Sequence, residues 1–434
     1  MFLRACLIIF SLLIPVLASG QASSEIQGDD QSMETPTPVA GQGYSLELAS
    51  ATPHTNYLSG GVRFTAAYDD RVSVIGGQNV SDQSYSIGPT LVLRQSRPRL
   101  NWGLSYGSDF TFYQHASSLN QADNNFALDL QYRISPHVTV RLQDSFLKTS
   151  NFFNSQYQDT SFPSLGVVQR PNDSIVAPIT NRISNFGSTI ITYQFRQNAM
   201  MGAKATLSQL WYPDAKAGSD LFDSIGQAAE GFYAHRLSGR HYIGATYQFQ
   251  KILAHPSTSE TVTDSVLAFY TLYLQPSISF SVFVGPQYAE FSGGERASFH
   301  SWSPAAGASL GWQGARTALA FSYAHTISEG GGLSGGVLLN SANALVRRQL
   351  TRSLDVELGT TYAVNEVLDP LSTFSSGGHS VSGTVTLKKK LGAHISALAA
   401  YTSLHQSYGG TSSPPDRNRV WISLFYQFET PLGR

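Results

Sequence analysis

Apolar and polar residues alternate in segments that recur from about Gly60 to Phe428, and the links between them switch between very short and long. A strand that crosses a bilayer needs about 9–11 tilted residues with an apolar lipid face and a polar inner face, so dyad alternation over roughly ten residues is its signature. The last segment sets Val420, Ile422, Leu424, Tyr426 and Phe428 on one face and Trp421, Ser423, Phe425 and Gln427 on the other. One such strand fits any half-buried sheet. Its repetition along the chain predicts an all-β fold: a transmembrane, antiparallel, up-and-down β-barrel.

About eighteen segments qualify. The clearest are Val62/Phe64/Ala66/Tyr68, Leu100/Trp102/Leu104/Tyr106, Phe126/Leu128/Leu130/Tyr132/Ile134, Val138/Val140/Leu142, Ile278/Phe280/Val282/Val284, Leu354/Val356/Leu358 and Val381/Gly383/Val385/Leu387. Segments near 225–237 and 337–348 have ambiguous phase. Short links fall at Arg97-Pro98, Ser135-Pro136, Arg196-Gln197-Asn198, Ser238-Gly239, Gln275-Pro276, Gln313-Gly314-Ala315, Thr351-Arg352 and Leu391-Gly392, each with residues that break a ladder. Longer polar links lie near 69–83, 114–123, 150–182, 213–223, 254–263, 291–299, 328–336, 366–378 and 406–417. Short periplasmic turns and long extracellular loops are expected of such a barrel, and an even strand number leaves both termini in the periplasm. The short-link end collects Arg94, Arg97, Arg99, Arg133, Arg196, Arg236, Arg240, Arg316, Arg347, Arg348 and Arg352.

The face opposite the apolar one is small or polar: Asn101, Gly103, Ser105 and Gly107; Asn125, Asp129, Gln131 and Arg133; Arg141, Gln143 and Ser145. A soluble sandwich also has polar outer positions. Simple hairpins without the long crossings of Greek keys favour a closed meander. Aromatic clusters near segment ends, such as Tyr106, Phe110, Phe112 and Tyr113 or Tyr242, Tyr247 and Phe249, are candidate interfacial girdles.

Charge and cysteine usage narrow the picture. The 434-residue chain carries a formal net charge of −1, and its one compact basic run, Lys388-Lys389-Lys390, reads as a solvated turn. No nucleic-acid partner is implied. Residues 1–22 have an early charge at Arg4, an apolar run from Leu7 to Leu17 and small residues at Ala18, Gly20 and Ala22, the layout of a cleaved secretory signal. The only cysteine, Cys6, lies within it. Residues 23–58, rich in Gly, Ser, Gln, Pro and acids, read as a flexible periplasmic leader with a short strand candidate at Tyr44 to Ala49. Residues 59–434 would then be the barrel.

The segment Arg419-Val420-Trp421-Ile422-Ser423-Leu424-Phe425-Tyr426-Gln427-Phe428 resembles the C-terminal signal that bacterial outer-membrane porin-type barrels present to the barrel insertion machinery. It departs by continuing through Glu429-Thr430-Pro431-Leu432-Gly433-Arg434 and by lacking the usual glycine. The architectural resemblance to that family covers about residues 60–428. It implies a location in the cell outer membrane, contact with its lipid, and small hydrophilic solutes as cargo. Porin-type barrels are often trimers, which leaves a homo-oligomer open.

Chemical motifs add little. Gly103-Leu104-Ser105-Tyr106-Gly107 and Gly307-Ala308-Ser309-Leu310-Gly311 match a hydrolase elbow, but both sit in strands where period two puts Gly, Ser and Gly on the inner face. Gly330-Gly331-Gly332-Leu333-Ser334-Gly335 lies in a polar link with no βαβ unit around it, and the eleven histidines form no metal-ligand pattern. Neither an enzyme nor a cofactor is expected. The link at 150–182, about 33 residues long and between the fifth and sixth strands, falls where porin-type barrels carry the loop that narrows the pore. Its Phe152, Phe153, Tyr157 and Phe162 are candidates to pack against the wall, and Asp159, Arg170 and Asp173 to face the pore. Arg63, Asp109, Asp129, Arg133 and Arg141 are the facing wall candidates, since charges of both signs across a constriction filter ions and orient polar solutes. The expected function is a passive or weakly selective channel for small hydrophilic solutes. A component of surface-polysaccharide export or assembly is the alternative, and an outer-membrane enzyme is less favoured.

Overall fold

Alternation of period two gives each strand two chemically different faces, and a sheet with one apolar side must cover it or turn it towards lipid. In the computed structural model the strands are β1 (Tyr57–Ile75), β2 (Gln78–Ser96), β3 (Leu100–Tyr113), β4 (Gln121–Arg133), β5 (Val138–Thr149), β6 (Arg182–Arg196), β7 (Ala199–Trp211), β8 (Asp223–Arg236), β9 (His241–His255), β10 (Ser259–Gln275), β11 (Ile278–Gly293), β12 (Phe299–Gln313), β13 (Thr317–Gly330), β14 (Ser334–Thr351), β15 (Leu354–Val367), β16 (Gly378–Lys390), β17 (Ile395–Tyr408) and β18 (Arg417–Pro431). The structure describes residues 33, 56–75, 78–150, 181–214, 221–255, 259–275, 277–293, 298–330, 334–368, 377–408 and 416–432.

Each strand pairs antiparallel with its sequence neighbours, and β1 also pairs with β18 from Tyr57↔Pro431 to Asp69↔Arg419. The 18-stranded sheet therefore closes into an up-and-down barrel with no free edge. The eight short links lie where the sequence predicts them. Arg97, Ser135, Ser238 and Gly314 close these turns through main-chain hydrogen bonds, and Arg236 donates to Gln197 O and Asn198 Oδ1 at 3.1 Å each.

The outer face is apolar, with Phe64, Leu91, Val266, Val284, Ile422 and Leu424 exposed on it. On the side of the longer links a tyrosine hydroxyl reaches a diagonal Asn or Asp one step nearer the loop in four hairpins: Tyr106 to Asn124, Tyr247 to Asp264, Tyr323 to Asn340 and Tyr401 to Asn418. From these polar residues β4 runs from Asn124 to Arg133, β10 from Asp264 to Gln275 and β14 from Asn340 to Thr351. These stretches of 10 to 12 residues are long enough for the roughly 9–11 tilted residues needed to cross a hydrocarbon core. The tyrosine pairs thus mark the loop-side edge of the apolar band, with one amphipathic ring end in lipid and its hydroxyl at the wet boundary.

Two sequence expectations change. Tyr113 and Tyr242, grouped with the girdle aromatics, are buried on the interior face instead, whereas Tyr106, Phe110, Phe112 and Tyr247 are exposed outside. Several loop-side strands also run further than the polar stretches suggest: β1 and β2 stay paired to Ile75↔Gln78, and β9 and β10 to Ala254↔Ser259. Beyond the lipid both faces of a hairpin are wet, so alternation disappears while the main-chain ladder continues. The strand candidate at 44–49 lies outside the described residues.

Candidate functional site: the barrel interior

The interior has two chemically different walls. On the first, one register row runs Phe425, Arg63 and Gly88 across β18, β1 and β2, Asp109 pairs with Asp123 across β3 and β4, and Thr149 with Arg182 across β5 and β6. Arg63 Nη2 donates to Asp109 Oδ2 across Gly88. A Cβ at Gly88 would lie 2.1 Å from Asp109 Oδ1, so only glycine leaves the bridge its path. The Arg63 guanidinium also sits 5.8 Å from the Phe425 ring centroid.

Towards the turns, Arg141 on β5 binds Asp129 on β4 with both prongs of its fork, Nε to Oδ1 at 3.0 Å and Nη2 to Oδ2 at 2.9 Å. Towards the loops, Arg417 Nε holds Asp69 at 2.9 and 3.1 Å across the β1–β18 seam. Asp82 accepts main-chain N–H groups from His115 and Ala116, which fixes the link around the 3-10 turn Ser117–Leu119. Bidentate charged pairs hold side chains in one geometry better than single contacts do. Of the predicted residues, Arg63, Asp109, Asp129 and Arg141 are thus brought together as two ion pairs. Arg133 keeps the interior phase but stands exposed at the turn-side end of β4. Asp159, Arg170 and Asp173, with the aromatic residues of that link, lie outside the described residues, although the link does join the fifth and sixth strands.

The second wall is apolar. A single row runs through Gln194, Met200, Ala234, Gly244, Phe269, Phe283 and Gly307 from β6 to β12. Three interior phenylalanine rings cover glycines of the adjacent strand: Phe232 over Gly202, Phe269 over Gly244 and Phe283 over Gly307. An aromatic ring covering a strand glycine restores packing that the missing side chain forfeits. Gly307, part of a hydrolase-like motif in the sequence, serves here as a ring seat. The ambiguous phase of residues 225–237 has the same origin, because Phe232 and Ala234 face inward while Gln227 and Gly231 face out. Above this row Lys204 on β7 pairs in register with Glu230 on β8, and Thr246 Oγ1 donates to Glu230 Oε1 at 3.0 Å. Sequence reading passed over Lys204, Glu230, Asp69 and Arg417, although the inward phase of Lys204 and Glu230 was a usable signal.

The mouth on the loop side is crossed by an element that the sequence hid. Pairing of β12 with β13 ends at Ala306↔His325, whereas β13 and β14 stay paired to Gly330↔Ser334. Beyond the Tyr323–Asn340 girdle pair β13 parts from β12, while β14 stays joined to β15 as far as Val337↔Val367, and the hairpin end packs on interior side chains of other strands. Ile327 N donates to Gln287 Oε1 on β11 at 3.4 Å, and Ile327 packs with Ala289, Phe291 and Leu338. Gly336 lies against Thr261 of β10. Glu329, only 5% exposed, accepts a hydrogen bond from Ser208 of β7. Burial pushes the Glu329 carboxyl up, and the Ser208 hydroxyl opposes that rise. The polar residues Ser328 and Glu329 carried no signal that the end of β13 turns inward.

No family model matches the chain, and no curated protein does. Among solved structures it is similar to the outer membrane protein opdK from Pseudomonas aeruginosa, with 10% identity and a TM-score of 0.42 over 86% of this chain and 99% of that one. OccK2 (OpdF) of the same organism gives 11% and 0.45 over 86% and 98%. OccAB4 of Acinetobacter baumannii gives 10% and 0.42 over 87% and 99%.

Proposed function

We propose that this chain is an outer-membrane channel for passive or weakly selective diffusion of small hydrophilic solutes. The carrying observation is the combination of an apolar, exposed outer band with an interior lined by ion pairs such as Arg63–Asp109 and Arg141–Asp129. A side chain of either sign is costly in lipid and is retained where water reaches it. Barrels of 16–18 strands are wide enough to leave an aqueous lumen. In this reading residues 1–22 are the export signal, 23–58 a periplasmic leader and 59–434 the barrel, with the short turns in the periplasm and the longer hairpins outside. The paired charges of β1 to β5 filter ions and orient dipolar solutes, and no covalent chemistry is required.

Single-channel recording of the purified, refolded chain in a planar bilayer tests this. Stable steps of constant size are expected. Absence of steps from a heat-modifiable, inserted barrel would overturn the channel reading.

A further inference from the structure

Charges of both signs line the interior at the loop end, and there they meet one another: Arg63 with Asp109, Arg417 with Asp69, and Lys204 in register with Glu230. The turn end is different. None of the eight short links contains an Asp or Glu, whereas Arg97, Arg99, Arg240, Arg316 and Arg352 lie in them. Leu91, Tyr132, Tyr233, Leu350 and Leu387 mark the outward phase of β2, β4, β8, β14 and β16, so Arg94, Arg133, Arg236, Arg347, Lys388 and Lys390 take the inward one. Only Arg348 and Lys389 share the outward phase there. Cations that grip anionic lipid headgroups belong on the outward side; these face the lumen.

Carboxylates do not balance them. Among the described residues of this end, Asp129 is held by Arg141, Asp355 pairs in register with Lys388, and Glu357 and Glu429 complete the inward set. The main chain also sets like charges side by side. Arg133 N–H donates to Arg99 O at 2.8 Å, and Gln349 N–H donates to Arg316 O at 2.7 Å, two positions from Arg347. Arg99, Arg133, Arg316 and Arg347 are all exposed. Like charges on adjoining strands repel, and an anion between two planar guanidinium forks converts that repulsion into attraction.

We propose that the turn-side mouth is a binding vestibule for small multivalent oxyanions, phosphoryl or polycarboxylate, with one seat at Arg99 and Arg133 and another at Arg316 and Arg347. Its consequence for transport rests on the channel reading: a mouth lined by one sign of charge over low-dielectric walls raises the local concentration of the opposite ion, and rings of Arg and Lys select anions. The loop end, whose charges meet one another, has no such bias. The two mouths therefore collect different ions.

Isothermal titration of the refolded full chain in detergent, with pyrophosphate and with citrate, reads the vestibule without requiring conduction. At physiological ionic strength the Debye length of about 8 Å confines the influence of each charge to its own side of the wall. Both probes should bind, and R133Q/R347Q should weaken them by about tenfold, the equivalent of one charged hydrogen bond. R348Q, next in sequence on the outward phase, should leave the affinity unchanged. Heat-modifiability on gels checks folding, and R99Q/R316Q addresses the same seats from the turns where the strand variant does not fold. In a planar bilayer under a salt gradient the parent should favour anions. Absence of binding, equal losses in R347Q and R348Q, or a parent channel that favours cations would each sink the vestibule. Binding by an inserted chain that never conducts would keep it and end the channel reading.

Discussion

Glu329 of β13 accepts a hydrogen bond from Ser208 of β7, a strand that stands well away around the barrel wall. The contact exists only because the end of β13 parts from β12 and turns over the interior. A carboxyl whose pKa is raised by burial is neutral in the closed lid over a wider pH range than in the open one. Closure is therefore fully favoured below the ordinary carboxylate pKa and weakens as pH climbs through the raised value. Conductance recorded against pH should increase on the alkaline side, and E329Q should flatten that rise. A pH-independent parent channel would contradict the latch.

The Arg63–Asp109 bridge passes over Gly88, so the substitution G88A should act on a pair it does not belong to. Its Cβ forces Asp109 aside and leaves a poorly partnered carboxylate, at a cost of about 1–3 kcal/mol in barrel stability. Heat-modifiability on gels reads that loss. Reversal potentials in a salt gradient separate the charges: R63A should shift selectivity towards cations and D109N towards anions, with G88A between them.

The ring seats predict an effect on the opposite wall. A Cβ at Gly307 would lie 2.2 Å from Phe283 Cε1, and one at Gly244 2.3 Å from Phe269 Cζ. G307A and G244A should each destabilise the barrel by about 1–3 kcal/mol through overpacking. The pair G307A/F283A should recover part of that, because the clashing ring is gone. Thermal unfolding in detergent compares the three.

Val284 is exposed on the outer face between the Ile278 end of β11 and the loop-side girdle. An arginine there faces hydrocarbon and should cost about 2–4 kcal/mol of folding into a bilayer. The same substitution at Asn418, which sits at the girdle beside Tyr401, should cost much less. Refolding yield into lipid vesicles under urea distinguishes them, and equal yields would argue that the apolar band is misplaced.

The sequence by itself determined the closed meander, the strand number and the positions of the eight turns, because alternation and turn chemistry are local properties that each ten-residue window displays. Val420/Ile422/Leu424 could be assigned to an outer face with no partner in view, and so could the inward phase of Arg63, Asp109, Asp129 and Arg141. Only the tertiary structure decided which of those charges meet, since Arg63 and Asp109 are 46 residues apart and their pairing depends on the register through Gly88. It alone placed Glu329 against Ser208 across 121 residues, and Met33 against Gln194 across 161. The physical reason is the same in each case. An interior residue that packs on other interior side chains is chosen by those partners and not by water, so Phe232 and Ala234 blurred the phase of their strand, and the inward-turned end of β13 read as one more polar loop.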